Sequence, residues 1–175
     1  MIVKSNLKNF SSHVFKERFE KLREIVLKYN PRVPKISFSD QTFNSAILSK
    51  KILQFIINNG LQETYRFSCQ TRIEIVSKHS EILKLFKKSH MVAGFGFETA
   101  HKNLLLEMNK TNDPSRYVRK MKKILDYYKE LNAPYCRINI LSGLPGETKA
   151  SFIETIDFLK QHAFPENIQI SPTLY

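Results

Sequence analysis

Apolar residues recur along this chain at two alternating spacings, one typical of helices and the other of strands. Where apolar residues lie three or four positions apart, they predict an amphipathic helix with one buried face. Where apolar and polar residues alternate, they predict a half-buried strand. The predicted helices are Phe15 to Tyr29, Ser45 to Asn59, Ser80 to Lys88, Leu104 to Met108, a long helix from an N-cap at Asp113 to Leu131, and a segment through Phe152, Ile156 and Leu159. The predicted strands are Val33 to Asp40, Tyr65 to Gln70 running into Thr71 and Arg72, Met91 to Phe97, a strand that takes in Cys136 and Ile138 to Leu141, and Ile168 to Ser171.

The order of these elements is one helix followed by five strands that are separated by helices. Strand-helix units that repeat about every 30 residues are typical of parallel strands joined by right-handed crossovers, with helices covering the sheet. A length of 175 residues fits one domain, residues 1–175. The sequence therefore predicts a single α/β domain in which the strand at Met91 to Phe97 runs parallel to the strand at Ile138 to Leu141.

Polar residues follow the predicted strands at the points where these strands end. Asp40, Arg72 and Glu98 each stand at such an end, and the turn from Gly143 to Glu147 follows the fourth strand. In parallel sheets, ligands bind beyond the carboxyl ends of the strands, so these residues are candidates for a binding site. Each also has a structural explanation: Asp40 as a helix cap, Arg72 as a surface residue and Glu98 as a solvated loop carboxylate.

The stretch from Ile138 to Thr148, INILSGLPGET, reads as a strand, a tight turn and a helix start. Gly143 and Gly146 permit backbone conformations that bring main-chain groups close to a flat ligand. Glu147 and Thr148 suit a helix N-terminus, where unpaired N–H groups need an acceptor. An ordinary strand-to-helix turn of an α/β protein is compatible with the same residues.

Composition and charge limit the classes of function. Hydrophobic residues make up 42% of the chain, as expected of a globular protein. No apolar run approaches the roughly 20 residues of a membrane span, and the first residues lack a signal-peptide pattern, so we expect a cytoplasmic protein. The formal net charge is +12, but the lysines are spread along outward helix faces without interleaved aromatic residues. This spread favours a solvated basic surface over a dedicated RNA groove, which stays open as an alternative.

Cys69 and Cys136 lie far apart, each within a predicted strand. They form neither a disulfide framework nor a CxxC metal motif, so we expect two buried free thiols and no metal site.

Four segments, in their order and spacing, resemble the radical S-adenosylmethionine (SAM) superfamily, and most closely its branch that often carries a cobalamin-binding domain. They are ISFSDQTFN (36–44), RFSCQTR (66–72), GFGFETAHKNLLLEMNK (94–110) and LSGLPGET (141–148). The resemblance implies a partial (β/α)6 TIM-like barrel. It also implies a [4Fe-4S] cluster on a CxxxCxxC loop after the first strand, which cleaves SAM to a radical.

The resemblance also implies where SAM would be held. Ser39, Asp40 and Gln41 would lie near the methionine amino group, and Arg72 would lie near the carboxylate. Glu98, followed by Thr99, would face the ribose or the methionine part. The residues expected to line the adenine are Gly143, Leu144, Pro145, Gly146 and Glu147, with Ser171 approaching from the far side.

The sequence departs from this family in one large respect, since it contains no CxxxCxxC motif. We therefore expect a truncated core with about five strands, lacking the first strand and the cluster loop, and with an unpaired sheet edge beside Ile36 and Phe38. A separate polypeptide or an upstream segment would have to supply the cluster. Two hypotheses follow: part of a radical SAM enzyme, or a non-catalytic α/β module, either a gene remnant or a basic protein that binds RNA or another partner.

Overall fold

The computed structural model describes residues 12–29, 35–39, 41–131, 135–163 and 168–174. The helices are α1 (Ser12–Tyr29), α2 (Ala46–Asn58), α3 (Ile73–Lys78), α4 (Glu81–Lys88), α5 (Lys102–Glu107), α6 (Pro114–Leu131) and α7 (Lys149–His162). The strands are β1 (Lys35–Phe38), β2 (Arg66–Thr71), β3 (Val92–Glu98), β4 (Cys136–Ser142) and β5 (Ile168–Leu174). Short 3₁₀ turns occupy Gln41–Asn44 and Leu61–Glu63.

The five strands form one parallel sheet in the order β1-β2-β3-β4-β5. The predicted parallel pairing of the third and fourth strands is confirmed, with Phe95 opposite Ile138. Sequential order means that each crossover moves one strand further in the same direction, as in a TIM-like barrel, rather than reversing as in a doubly wound sheet. Right-handed crossovers then place the helices on one face of the sheet. The predicted α/β class, a partial TIM-like sheet of five parallel strands with flanking helices, is confirmed.

Alternate strand residues point to opposite faces of the sheet. One set, which includes Phe67, Phe95 and Ile138, is buried against the helices in a single hydrophobic core, and we call this side the covered face. The other set is polar or small, and we call its side the open face. Its members are Arg66, Ser68, Gln70, Gly94, Gly96, Arg137, Asn139, Gln169 and Ser171.

Aromatic side chains dominate the core. Tyr65, Phe67, Phe95, Phe97, Tyr117 and Tyr128 are all at most 2% exposed. The rings of Phe97 and Tyr117 stack with their centroids 6.2 Å apart, which ties the end of β3 to α6. Burial of each such ring contributes about 1.5–3 kcal/mol. This packing fixes the carboxyl end of β3 relative to α6.

The structure differs from the sequence prediction in an additional helix and in the ends of two strands. A separate helix, α3, follows β2 directly, because Ile73 and Val76 bury one face of a short turn that the apolar spacing did not reveal. β5 continues past the predicted end at Ser171 to Leu174. Pro172 is tolerated because β5, at the edge of the described sheet, does not need its N–H for a further strand. The first predicted strand is limited to Lys35–Phe38 among the residues described, and Asp40 lies outside them.

Both cysteines are free and buried on the covered face, as predicted. Burial raises the pKa of the Cys69 thiol and raises that of Cys136 to about 12.

Of the described residues, no three His, Cys, Asp or Glu side chains lie together as a metal-binding group. Within the same ranges, no helix combines the length and the apolar character needed to span a bilayer. In those ranges β1 pairs with β2 alone, so its outer edge carries no further described strand.

Candidate functional site

Glu98 ends β3 in an unusual backbone conformation. Its φ is 69°, in the left-handed region, and the pairing of β3 with β4 shifts register between Gly96 and Glu98. This irregularity turns the carboxylate back over Gly96, on the open face, where a Cβ at Gly96 would lie only 2.6 Å from Oε1 of Glu98. A non-glycine residue at positive φ is strained, and such strain is found more often at functional sites than elsewhere.

Lys110 holds this carboxylate in place. Its Nζ donates a hydrogen bond of 2.7 Å to Oε1 of Glu98, and the two side chains are only 30% and 16% exposed. A partly shielded ion pair is stronger than one on the open surface, because water screens it less. Glu98 is therefore an ion-paired carboxylate at the strand end, not the solvated loop residue that the structural explanation assumed.

Arg72 and Tyr117 complete the surroundings of Glu98. Arg72 follows β2, precedes α3 and is 62% exposed, with its Nε 3.6 Å from Oε2 of Glu74. The Tyr117 hydroxyl donates a hydrogen bond of 2.7 Å to the carbonyl of Gly96. Burial raises the pKa of Tyr117, the charges of Glu74 and Glu98 raise it further, and Arg72 opposes them. The charges of Glu74, Glu98 and Arg72 thus act on the Tyr117 hydroxyl, and Lys110 pairs with Glu98; we call Arg72, Glu74, Glu98, Lys110 and Tyr117 the edge cluster.

Polar side chains of the open face also lie over a second glycine of β3, Gly94. Gln70 lies across Gly94, where an added Cβ would meet the side-chain amide at 2.5 Å. Nδ2 of Asn139 donates to Oε1 of Gln70 at 3.4 Å, which bridges β2 and β4 over this glycine. The glycines of β3 therefore make room for side chains of neighbouring residues on the open face.

The turn after β4 has a shape fixed by its own residues. Gly143 and Gly146 have φ values of 83° and 78°. The N–H of Gly143 donates to Oε2 of Glu147 at 2.6 Å, and the N–H of Glu147 donates to the carbonyl of Leu144 at 2.9 Å. Leu144 is buried, whereas Pro145 and Gly146 are exposed. Glu147 thus closes the turn, and Pro145 and Gly146 form its exposed surface.

Thr148, rather than Glu147, caps α7. Its hydroxyl accepts from the N–H of Ser151 at 3.1 Å, and the Ser151 hydroxyl accepts from the N–H of Thr148 at 2.8 Å. This reciprocal capping box satisfies two N–H groups that the first turn of the helix leaves unpaired. The start of α7 is consequently fixed without any ligand.

The remaining predicted site residues are distributed differently. Thr99 is buried, and its hydroxyl lies 2.8 Å from that of Thr155 on α7, so it packs inside the fold and does not face the strand ends. Ser39 is exposed after β1, and Ser171 is half-buried in β5 opposite Asn139. Gln41 begins a 3₁₀ turn. Asp40 and the side chain of Gln41 lie outside the described residues.

Sequence reasoning missed three members of the edge cluster. Lys110 lies within a segment that carried the resemblance, but a lysine among many gave no signal of an ion pair with Glu98. Tyr117 fitted the apolar spacing of α6 and was predicted only as a core residue. Glu74 stands one residue into the helix that was not predicted. A search for charges that follow strand ends would have found Glu74, which lies three residues after β2, but not Lys110, which follows α5.

Two carboxylates and two cations belong to the edge cluster at the ends of β2 and β3, and the turn that follows the neighbouring strand β4 exposes Pro145 and Gly146. Such an arrangement complements a small ligand that carries both charges, because each ligand group meets its opposite.

No protein-family model matches the sequence. Over 69 residues, the chain is 33% identical to the ribosomal protein uS12 methylthiotransferase RimO of Treponema denticola. The matched part is 37% of this chain and 15% of that protein. The chain therefore matches only a small part of the length of this relative, and the similarity relates part of its sequence to a methylthiotransferase.

Proposed function

We propose that the edge cluster and the turn at Gly143 to Gly146 bind SAM, in a chain that works as part of a radical SAM enzyme. The partial relative RimO is by name a methylthiotransferase, and the four ordered motifs of this chain resemble the radical SAM superfamily. The observation that carries the proposal is the left-handed Glu98, held by Lys110 at the carboxyl end of a central parallel strand. Ligands of parallel sheets bind at this edge.

The chemical groups of these residues are complementary to the chemical groups of SAM. SAM carries an ammonium, a carboxylate, two ribose hydroxyls and an adenine. The exposed guanidinium of Arg72 suits the carboxylate, because its planar fork can donate two parallel hydrogen bonds. Glu98 suits the ribose hydroxyls, which donate to carboxylates. The exposed surface at Pro145 and Gly146 suits the flat adenine, while Ser39 follows β1 and Ser171 lies within β5 opposite Asn139.

The residues do not fit an iron-sulfur cluster. Cysteine thiolates hold such clusters, and the sequence has only two cysteines. Both are buried on the covered face, where burial raises the pKa of their thiols and so disfavours the thiolate. We propose that the cluster ligands belong to polypeptide outside these 175 residues, either an adjoining segment or a second protein. The purified chain should accordingly contain no stoichiometric iron or sulfide after anaerobic reconstitution.

Titration of the chain with SAM tests the proposal. We expect saturable but weak binding, near the millimolar dissociation constant that corresponds to ~4 kcal/mol, because the contacts through iron are missing. Saturation-transfer NMR should show contacts to the adenine and ribose protons. Glu98→Gln and Arg72→Ala should each weaken binding several-fold, whereas Glu24→Gln, an exposed carboxylate on α1, should leave it unchanged.

Two outcomes would overturn the proposal. One is the absence of saturable binding at millimolar SAM, which would favour a non-catalytic α/β module. The other is binding that Glu98→Gln and Arg72→Ala leave intact, which would place the ligand elsewhere on the chain.

A further inference from the structure

A shallow groove on the outside of the molecule, between α3 and α6, is lined almost entirely by cations. Its volume is about 360 Å³, and its lining residues are Ser77, Lys78, Arg116, Arg119, Lys120 and Lys123. α3 and α6 pack against each other, so the groove is a fixed feature of the helical layer. No carboxylate lines it. We call this surface the basic groove.

The cations of α6 lie on one side of the helix. Arg116, Arg119, Lys120 and Lys123 are spaced three, four and seven residues apart, which is the spacing of neighbours on one helix face. This face is separate from the one formed by Tyr117, Met121 and Ile124, which is buried in the core. At a rise of 1.5 Å per residue, the α6 cations extend over about 10 Å.

These charges are not compensated within the described residues. Carboxylates pair with other cations there: Asp126 with Lys122, and Glu74 with Arg72. Asp113 accepts a hydrogen bond from the backbone N–H of Arg116 at the start of α6. No described carboxylate forms an ion pair with any of the five groove cations. By contrast, α1 alternates Lys and Glu on its surface and pairs Lys21 with Glu17.

The position of the charges opposes helix stability. The first twelve residues of α6 contain five basic residues and no acidic one. The first turn of a helix carries the positive end of its dipole, so Arg116 is disfavoured there. Like charges at these spacings also repel one another by a few tenths of a kcal/mol per pair. An anionic partner would relieve both effects.

We propose that the basic groove binds the phosphodiester backbone of a nucleic acid. Two arginines supply planar donors that match phosphate oxygens, and the lysines add point charges. Along about 10 Å, roughly three phosphates of one strand would lie within reach. The lining contains no aromatic side chain for base stacking, so the contacts position the backbone without reading base sequence. The lining of this groove shares no residue with the edge cluster, so we expect that binding there does not depend on SAM.

Fluorescence anisotropy with the full chain tests this proposal. Three labelled probes of equal length are used: an RNA duplex of about 20 base pairs, a DNA duplex and a single-stranded RNA. Each duplex offers more than one helical turn of backbone. We expect dissociation constants in the range of about 1–100 µM at physiological salt, weakening steeply as salt rises. Comparison of the three probes shows which nucleic acid is bound best.

The decisive variant is Arg119→Ala/Lys123→Ala, and Lys51→Ala/Lys84→Ala is its control with the same change of net charge. All four positions are exposed on helices, where Ala is a good helix former, so both proteins should fold as judged by circular dichroism. The groove variant should lose at least tenfold in affinity, and its salt slope should fall by about 1.4 on a single strand. The control should lose less than threefold.

Three results would overturn the proposal: no nucleic acid binding at low salt, equal losses in the two variants, or equally tight groove-dependent binding of polyglutamate or anionic lipid vesicles. Equal losses would mean that the net charge of +12 acts diffusely. Equal binding of other polyanions would mean that the groove does not select phosphodiesters. The groove variant should bind SAM with the affinity of the native chain. A loss of nucleic acid binding can then be distinguished from a defect of the edge cluster.

Discussion

The carboxylate of Glu98 lies over Gly96, its neighbour two residues earlier in the same strand. A Cβ at Gly96 would lie 2.6 Å from Oε1 of Glu98 and 3.3 Å from Nζ of Lys110. The space above this glycine is therefore used by an ion pair whose two members come from different parts of the chain.

Gly96→Ala should disturb the site more than the fold. The atoms that the new methyl group would meet are the far ends of flexible side chains, so we expect a loss of about 1 kcal/mol in unfolding free energy and a several-fold loss of SAM affinity. Gly94→Ala is the matched control, because its methyl group would meet Gln70 instead. Urea denaturation and SAM titration of both variants measure the two effects. Equal SAM affinity in Gly96→Ala and the native chain would contradict a role for the Glu98 carboxylate.

The pair of Glu98 and Lys110 should be coupled energetically. Lys110→Met leaves a carboxylate that is only 16% exposed without its cation, so we expect a loss of about 1–3 kcal/mol in unfolding free energy. The double variant Glu98→Gln/Lys110→Met should lose less than the sum of the single variants, by about 0.5–3 kcal/mol. A double-mutant cycle by urea denaturation measures this coupling, and strict additivity would show that the pair contributes nothing to stability.

Thr155 should be important for the attachment of α7 to β3. Its hydroxyl is buried, lies 2.8 Å from that of Thr99, and accepts from the N–H of Ala100 at 3.0 Å. Thr155→Val keeps the side-chain shape but leaves that N–H and the Thr99 hydroxyl without this partner, which should cost about 1–3 kcal/mol. Thr155→Ser keeps the hydroxyl and should cost only about 1 kcal/mol, for the lost methyl group. Chemical denaturation compares them, and a larger loss in the serine variant would contradict this assignment.

Alkaline pH should destabilise the fold through its buried thiols. Burial raises the pKa of Cys136 from 9.0 to about 12, so from pH 9 to pH 12 the unfolded chain releases a proton that the folded chain retains. The stability contributed by the neutral thiol is fully present below pH 9 and is lost as pH rises, by at most about 1.4 kcal/mol per pH unit. Cys69 acts in the same direction.

Guanidinium denaturation under reducing conditions, from pH 8 upwards, measures this loss. The Cys69→Ala/Cys136→Ala variant, although less stable at pH 8, should lose stability more gradually as pH rises. An identical pH dependence in the two proteins would show that other groups, such as Tyr128, whose pKa burial also raises, account for the effect.

The periodicity of apolar residues was sufficient to predict the sheet. Alternation of Tyr65, Phe67 and Cys69 with polar residues predicted β2, and the parallel pairing of the strands followed from the intervening helices. The short helix α3 was missed because six residues directly after a strand show too little periodicity.

The candidate site was predictable only in part. Arg72 and Glu98 were found because strand ends meet at one edge of a parallel sheet. The pairing of Glu98 with Lys110 depends on a bulge and a left-handed residue, and no local pattern specifies either. Thr99 was placed with the site although its hydroxyl packs against α7, because sequence order does not show which side of a turn a residue faces.

The alternation of the strands has an evolutionary consequence. Residues on the covered face are constrained by packing, so their replacement removes stability whatever the chain binds. Residues on the open face, such as Gln70, Asn139 and Gln169, are exposed or half-buried, and exchange there can alter ligand preference while the domain still folds. A sheet of this kind can acquire new ligand specificities through single substitutions on its open face. The covered face stays the same meanwhile and keeps the domain folded.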